Sequence, residues 1–185
     1  MANVKGSALS SRVLWVRLEY GDAGIQRLLP QCTPELRASL QAGIHKARWY
    51  PLAQFVELIA VVDRLFGAGD LALVDTLARH GADANLTTIY RLFFKVGTTH
   101  WILGRAARLW GAHYDSGHLE VLTRGPNTAV LRIRGFDDPH PIHCRSVLGW
   151  AHRSIELSGG KTVASSESTC VTRGDPYCQI DAAWS

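Results

Sequence analysis

Apolar positions along the first 114 residues recur every three or four residues, which is the spacing of amphipathic helices. In segment 51–69 the apolar stripe consists of Phe55, Leu58, Ile59, Val62 and Phe66. Thr33 followed by Pro34 is typical of a helix start. A further helix is predicted to start at the Asp70 cap and to stop at Gly81. The pattern therefore predicts that residues 1–114 are mainly helical.

After Tyr114 the period changes to two, which is typical of half-buried strands. Segments 118–124 and 128–136 alternate around a Gly-Pro-Asn turn, and 162–171 and 177–184 flank a Gly-Asp-Pro turn. Segment 142–157 lies between these predicted hairpins and is helical in pattern. The order predicts an α+β fold, an antiparallel sheet packed with helices. We expect one domain over 1–185, with 115–185 as its sheet part.

Composition excludes several classes of function. The net charge of +4 is scattered over the chain, so we expect no nucleic-acid partner. No catalytic motif is present, so the chain is not expected to be an enzyme. A leader and a membrane-spanning run are both missing from the sequence, which favours a cytoplasmic protein with reduced thiols. Cys32, beside a helix start, is either a reactive thiol or simply a buried one.

Three cysteines fall in the last 42 residues, Cys144, Cys170 and Cys178, and Glu167 lies three residues before Cys170. A hairpin brings the last two cysteines together, and a helix packed on it can deliver Cys144. Three thiolates and a carboxylate are ligands that a tetrahedral metal site accepts. Spacing alone leaves three unrelated core thiols as an alternative. His140 or His143 could also replace Glu167 as the fourth ligand.

The segment 141–184 resembles the four-vinyl reductase domain of phenol- and xylene-responsive transcription activators. The likeness rests on Glu167, Cys170, Gly174, Asp175 and Cys178, with Cys144 one helix earlier. The resemblance implies a structural Zn²⁺ held by Cys144, Glu167, Cys170 and Cys178. It also implies the ligand-binding fold shared by nitric-oxide-signalling and vesicle-tethering (TRAPP-type) domains. The whole chain is further similar to a myxobacterial paralogous family, mostly over residues 90–136.

An aromatic and His-rich stretch lies at residues 100–114. We expect a pocket for a small apolar or aromatic ligand between the helical part and the sheet, although ordinary core packing explains the same pattern. The predicted lining residues are Phe93, Trp101, Trp110, Val121 and Leu131. An axial haem histidine at His100 or His113 is a further alternative, but no surrounding residue singles out haem.

Together these observations predict a non-enzymatic, small-molecule-binding sensory module with a structural zinc. A homodimer is expected, with helices from residues 51–80 contributing to its interface. The alternative is a TRAPP-like protein-interaction or scaffold subunit that takes no small ligand.

Overall fold

The computed structural model describes residues 1–90, 98–161 and 163–185, without the side chains of 86–90, Ala106 and Leu109. The helices of these ranges are α1 (Gly6–Leu28), α2 (Pro34–Ala42), α3 (Leu52–Phe66), α4 (Leu73–Tyr90), α5 (Thr99–His113) and α6 (Pro141–Leu157). The strands are β1 (Asn3–Lys5), β2 (Trp49–Pro51), β3 (His118–Gly125), β4 (Thr128–Arg134), β5 (Ala164–Thr169) and β6 (Cys178–Ala183). No helix of this described part is long and apolar enough to cross a membrane.

Local signals explain several helix starts. The Thr33 side chain accepts a hydrogen bond from the Leu36 amide, and Pro34 opens α2 as predicted. The apolar stripe of α3 is buried at Phe55, Leu58, Ile59 and Val62, and Phe66 is half-buried. These contacts confirm the helical period of the first half of the chain.

The predicted boundaries of α4 were wrong at both ends. The helix begins at Leu73, where the Asp63 carboxylate accepts hydrogen bonds from the Leu71 and Leu73 amides. It also runs through Gly81 instead of stopping there. A Cβ at Gly81 would collide with the Arg12 guanidinium, so this glycine allows α1 to approach α4 closely. The glycine is a packing residue and not a helix stop.

The main sheet has the strand order β3-β4-β6-β5, and every neighbouring pair is antiparallel. Both predicted hairpins are present, β3–β4 around residues 126–127 and β5–β6 around Gly174, whose φ of 93° is in the left-handed region. The predicted α+β class, an antiparallel sheet packed with helices, is confirmed. The expectation of helices before Tyr114 also holds, apart from the short strands β1 and β2, which pair with each other.

The buried apolar side chains form two cores. The first core lies among helices α1, α2, α3 and α4 and contains Leu9, Val16, Phe55, Leu58, Ile59 and Leu77. The second lies between the sheet, α5 and α6 and contains Leu103, Trp110, Leu131, Ile155, Ile180 and the three C-terminal cysteines. Tyr114 and Phe136 pack against both cores. These two rings therefore mark the boundary between the helical half and the sheet.

Helices α4 and α6 are held together by a close approach and by ion pairs. A Cβ at Gly149 of α6 would lie 2.9 Å from the Ala78 Cβ of α4. The Glu156 carboxylate of α6 accepts hydrogen bonds from Arg79 of α4, at 2.7 and 2.8 Å, and from Arg153. Burial acts to raise the pKa of Glu156, but these hydrogen bonds outweigh it and lower the pKa to about 2. The pair is therefore ionised at neutral pH.

Backbone and side-chain contacts also tie the first residues to distant parts of the chain. The Asn3 amide donates to the Asp115 carboxylate at 2.6 Å, and the Ala2 amide donates to Asp138 at 3.0 Å. The second contact joins residues 136 positions apart in sequence. The first residues therefore connect the helical half of the domain to the segments that flank β3 and β4.

Candidate functional site

The last helix and the last hairpin bring four potential metal ligands together. Cys144 lies in the first turn of α6, and Glu167 lies in β5. Cys170 directly follows β5, and Cys178 is the first residue of β6. Possible ligand atoms of these four side chains all lie within 4.8 Å of one another. We call this group the cysteine cluster.

The three sulfur atoms of the cysteine cluster form a nearly equilateral triangle. The Sγ–Sγ distances are 3.5 Å for Cys144–Cys170 and 3.7 Å both for Cys144–Cys178 and for Cys170–Cys178. All three thiols are free and buried. A metal bound at about 2.3 Å in a regular tetrahedron holds its sulfur ligands about 3.8 Å apart. The triangle therefore has a size that one metal ion could span.

Hydrogen bonds fix the backbone around the cysteine cluster. The Asp175 carboxylate accepts from the Cys170 amide at 2.7 Å, and the Val171 amide donates to the Cys178 sulfur at 3.4 Å. The Cys144 thiol and then the Val171 amide lower the pKa of Cys178 to about 6, although burial opposes the shift. The lowered pKa therefore favours a thiolate at Cys178 within the cysteine cluster.

Neither alternative histidine joins the cluster. The His140 Nδ1 accepts the Ile142 amide at 3.2 Å and so caps α6. The His143 ring points away into an aromatic box formed by Trp110, Tyr114 and Phe136, and it stacks on Phe136 at 4.5 Å. The carboxylate that lies with the thiols is Glu167, which also accepts from Arg173 at 2.8 Å.

Cys32 lies apart from the cluster. Its thiol is buried and donates to the Leu28 carbonyl at 3.3 Å. Burial, followed by the nearby Glu57 carboxylate, raises the pKa of Cys32 to about 11. The thiol therefore stays protonated at neutral pH, which favours the buried thiol over the reactive one.

The predicted ligand-binding residues occupy different environments. Trp110 and Leu131 are buried in the second core, and Val121 packs at its edge. Trp101 is 39% exposed, with the Arg105 guanidinium 4.2 Å from its ring centroid. Phe93 lies outside the described residues. Ligand binding by these five residues stays a prediction.

One buried charge went unnoticed in the sequence. Arg12 lies in α1 with only 4% of its surface exposed. The signal was available, because Arg12 falls between Leu9 and Val16 at the spacing of the apolar stripe. An arginine on the inner face of a helix is rarely buried without a partner.

Comparison with known proteins supports the fold and corrects the family. No protein-family model matches the chain, and no curated protein matches it. Solved H-NOX structures match over nearly the full length. An S. oneidensis H-NOX protein in the Fe(II)NO state has a TM-score of 0.73 and 15% identity, covering 98% of this chain and 99% of that one. The unliganded Fe(II) H-NOX protein of K. algicida has a TM-score of 0.71 and 11% identity, covering 98% and 96%.

The four-vinyl reductase assignment is wrong in the light of these matches. It rested on a short signature within residues 141–184, whereas the H-NOX likeness spans 98% of the chain. The prediction of Zn²⁺ as the cofactor is likewise wrong, because the similar structures are Fe(II) and heme proteins. A cluster of cysteines can form without zinc, since small buried thiols also pack well in a core.

Proposed function

We propose that this chain is a non-enzymatic sensory module that binds a small molecule in its interior. The observation that supports the proposal is the nearly full-length likeness to H-NOX proteins solved with NO or CO on Fe(II). At 15–16% identity, that likeness carries the fold, and the ligand has to be argued from this chain's own residues.

Heme is the first group to test against these residues. Of the two histidines considered from the sequence, His100 has a contact at one ring nitrogen. Its Nε2 lies 3.1 Å from the Thr128 carbonyl oxygen, and its ring lies 5.0 Å from that of Trp184. An imidazole has two ring nitrogens, so a hydrogen bond at Nε2 is compatible with an axial role for Nδ1.

Two other histidines, His80 and His143, have a buried Nε2 with no hydrogen-bond partner among the described residues. The cavity beside His143 has a volume of about 20 Å³, far below the several hundred that a cofactor needs. His80 lies near the Arg12 guanidinium, and burial followed by this charge lowers its pKa. The space beside His143 thus does not fit heme, and we derive no iron chemistry for this chain.

We place the ligand site between the two cores, near the aromatic box, where a small ligand would enter by separating the sheet from the helices, because the cavity there measures only about 20 Å³. Trp110, Tyr114 and Phe136 supply ring faces there, and the Trp110 Nε1 donates to the Ser116 carbonyl at 2.9 Å. Aromatic faces with a few polar groups are typical of sites for small apolar or aromatic molecules. Movement of the sheet relative to the helices would then carry the signal to a partner.

Methyl NMR tests this proposal with benzyl alcohol as the probe. We expect saturable shifts of the Val121 and Leu131 methyl groups, which belong to the second core. The methyl groups of Leu14 and Leu18, on the exposed side of α1, serve as the control and should not shift. Unsaturable shifts, or shifts confined to the control residues, would contradict an interior site.

For the cysteine cluster, we propose that Cys144, Glu167, Cys170 and Cys178 bind one thiophilic metal ion. The proposal concerns this class of metal and does not assign zinc. Support comes from the sulfur triangle and from the buried position of the three thiols. Such an ion would connect α6 to the last hairpin and so contribute to folding.

Self-association and the scaffold alternative stay predictions. A sensory module needs a surface that changes on ligand binding, and a homodimer interface would provide one. Sedimentation velocity with and without benzyl alcohol distinguishes a ligand-dependent dimer from a constitutive scaffold.

A further inference from the structure

Arg12 is buried, and its hydrogen bonds are incomplete. Nη1 donates to the Ser11 hydroxyl at 2.9 Å, and Nη2 donates to the Ser146 hydroxyl at 2.8 Å. The Nε–H group is buried and has no partner among the residues that the structure describes. Both partners found are neutral, so the hydrogen bonds do not balance the positive charge.

The chain does not supply a counter-charge. No Asp or Glu of the described part pairs with Arg12, and the side chains outside the description (86–97, 106, 109 and 162) include no acidic residue. The acidic group that acts on Arg12 is the phenol of Tyr114, whose pKa burial raises to about 12. That phenol is therefore neutral at pH 7. An uncompensated buried charge costs several kcal/mol, on the order of what one ion's desolvation requires.

Phe55, Gly81 and His80 lie around the Arg12 guanidinium. The Arg12 guanidinium carbon lies 5.1 Å from the centroid of the Phe55 ring. Gly81 lets the guanidinium rest directly on α4, and the preceding residue, His80, has a buried Nε2 without a partner. In the tautomer with hydrogen on Nε2, His80 and Arg12 offer two unused donors beside an aromatic ring.

We propose that Arg12 anchors the carboxylate of a small organic acid, with Arg12 Nε and His80 Nε2 as donors to its oxygens and Phe55 against its apolar part. Guanidinium is suited to this task because its planar fork matches a carboxylate. The inference rests on the proposed interior binding function and gives that function a ligand class, because Tyr114 of the aromatic box packs against both cores and lies close enough to Arg12 to act on its charge.

Calorimetric titration at constant ionic strength tests the inference, with benzoate as the probe and benzyl alcohol as its neutral match. Benzoate should bind the native chain at least tenfold more tightly than benzyl alcohol. Arg12→Met should abolish this preference, and Arg12→Lys should retain part of it. Arg17 lies in the same helix but pairs at the surface with Asp22, so Arg17→Met is the matched control and should keep the full preference.

The outcomes separate the two proposals. If both probes bind equally, or if Arg12→Met keeps the preference for benzoate, the carboxylate site is wrong and the interior binding function survives. If neither probe binds, both proposals fail.

A second measurement does not depend on binding. Without ligand, Arg12→Met should raise the melting temperature, because an unbalanced buried charge is replaced by an apolar side chain. A lower melting temperature for Arg12→Met, with the Arg17→Met control unchanged, would show that Arg12 is a structural residue held by its two serines.

Discussion

Gly149→Ala is the sharpest test of how α6 packs on α4. The new Cβ would lie 2.9 Å from the Ala78 Cβ, 2.7 Å from an Asp75 carboxylate oxygen and 3.3 Å from the Asp75 Cα. The carboxylate can rotate away, because Asp75 is exposed. The Ala78 Cβ is fixed to the backbone, so the two helices must separate instead.

The expected magnitude follows from two opposing effects. Overpacking a well-packed contact costs about 1–3 kcal/mol, and the rigid Ala78 contact places this case in the upper half of that range. Replacing a helical glycine by alanine returns about 1 kcal/mol through helix propensity. The net loss in the free energy of unfolding should therefore be about 1–2 kcal/mol. For a chain of this size, the loss lowers Tm by about 2–8 °C.

Gly104→Ala provides the matched control. Gly104 lies in α5, and a Cβ there would meet no heavy atom of the described part of the chain within 4 Å. The same substitution should therefore only gain helix propensity, raising the free energy of unfolding by up to about 1 kcal/mol. Thermal and urea unfolding of both variants measure the difference. If Gly149→Ala is as stable as Gly104→Ala, the close approach of α4 and α6 is wrong.

Three further substitutions test other parts of the structure. Cys170→Ser should lose the metal found by elemental analysis of the native protein and should lower Tm, whereas Cys32→Ser should keep that metal; a native protein without stoichiometric metal would contradict the cluster proposal. Glu156→Gln should lower the free energy of unfolding by about 1–2 kcal/mol at pH 7, after allowance for solvent screening. Because the folded pKa of Glu156 is lowered, its stabilisation is complete above about pH 4.5 and is lost as the pH falls to about 2; a pH-independent difference from the native protein would refute this account. Phe55→Ala should cost about 3–5 kcal/mol in urea unfolding, since its ring is 1% exposed, while Leu18→Ala should change stability by less than about 0.5 kcal/mol.

The sequence predicted the features that depend on local periodicity. The stripe from Phe55 to Val62 and the alternation around the two hairpins were sufficient for the α+β class. The stop expected at Gly81 failed because a glycine can serve a contact with a distant helix as well as a local turn. Nothing in the sequence around Gly81 reveals that the Arg12 guanidinium packs against this glycine.

The four-vinyl reductase signature shows a related limit of prediction from the sequence. Glu167, Cys170 and Cys178 describe one hairpin, and a hairpin is too small to identify a whole fold. The structure brings Cys144 to the same point, as the spacing suggested. Distance between thiols does not name a metal, because several thiophilic metal ions accept the same thiolate ligands.

The contacts of β1 constrain the order in which the chain can fold. Residues 2 and 3 can pair with β2 and the start of α3 as soon as residues 49–52 are made, but their amides donate to Asp138 and Asp115, so these two contacts must await most of the chain. On a ribosome, the two amides would remain without these partners for several seconds at about 5–20 residues per second. Contacts this distant in sequence also slow folding in free solution, because closing the loop costs entropy first. The helices of the first half and the β1–β2 pair can form early, but the contacts of residues 2 and 3 with Asp138 and Asp115 form late.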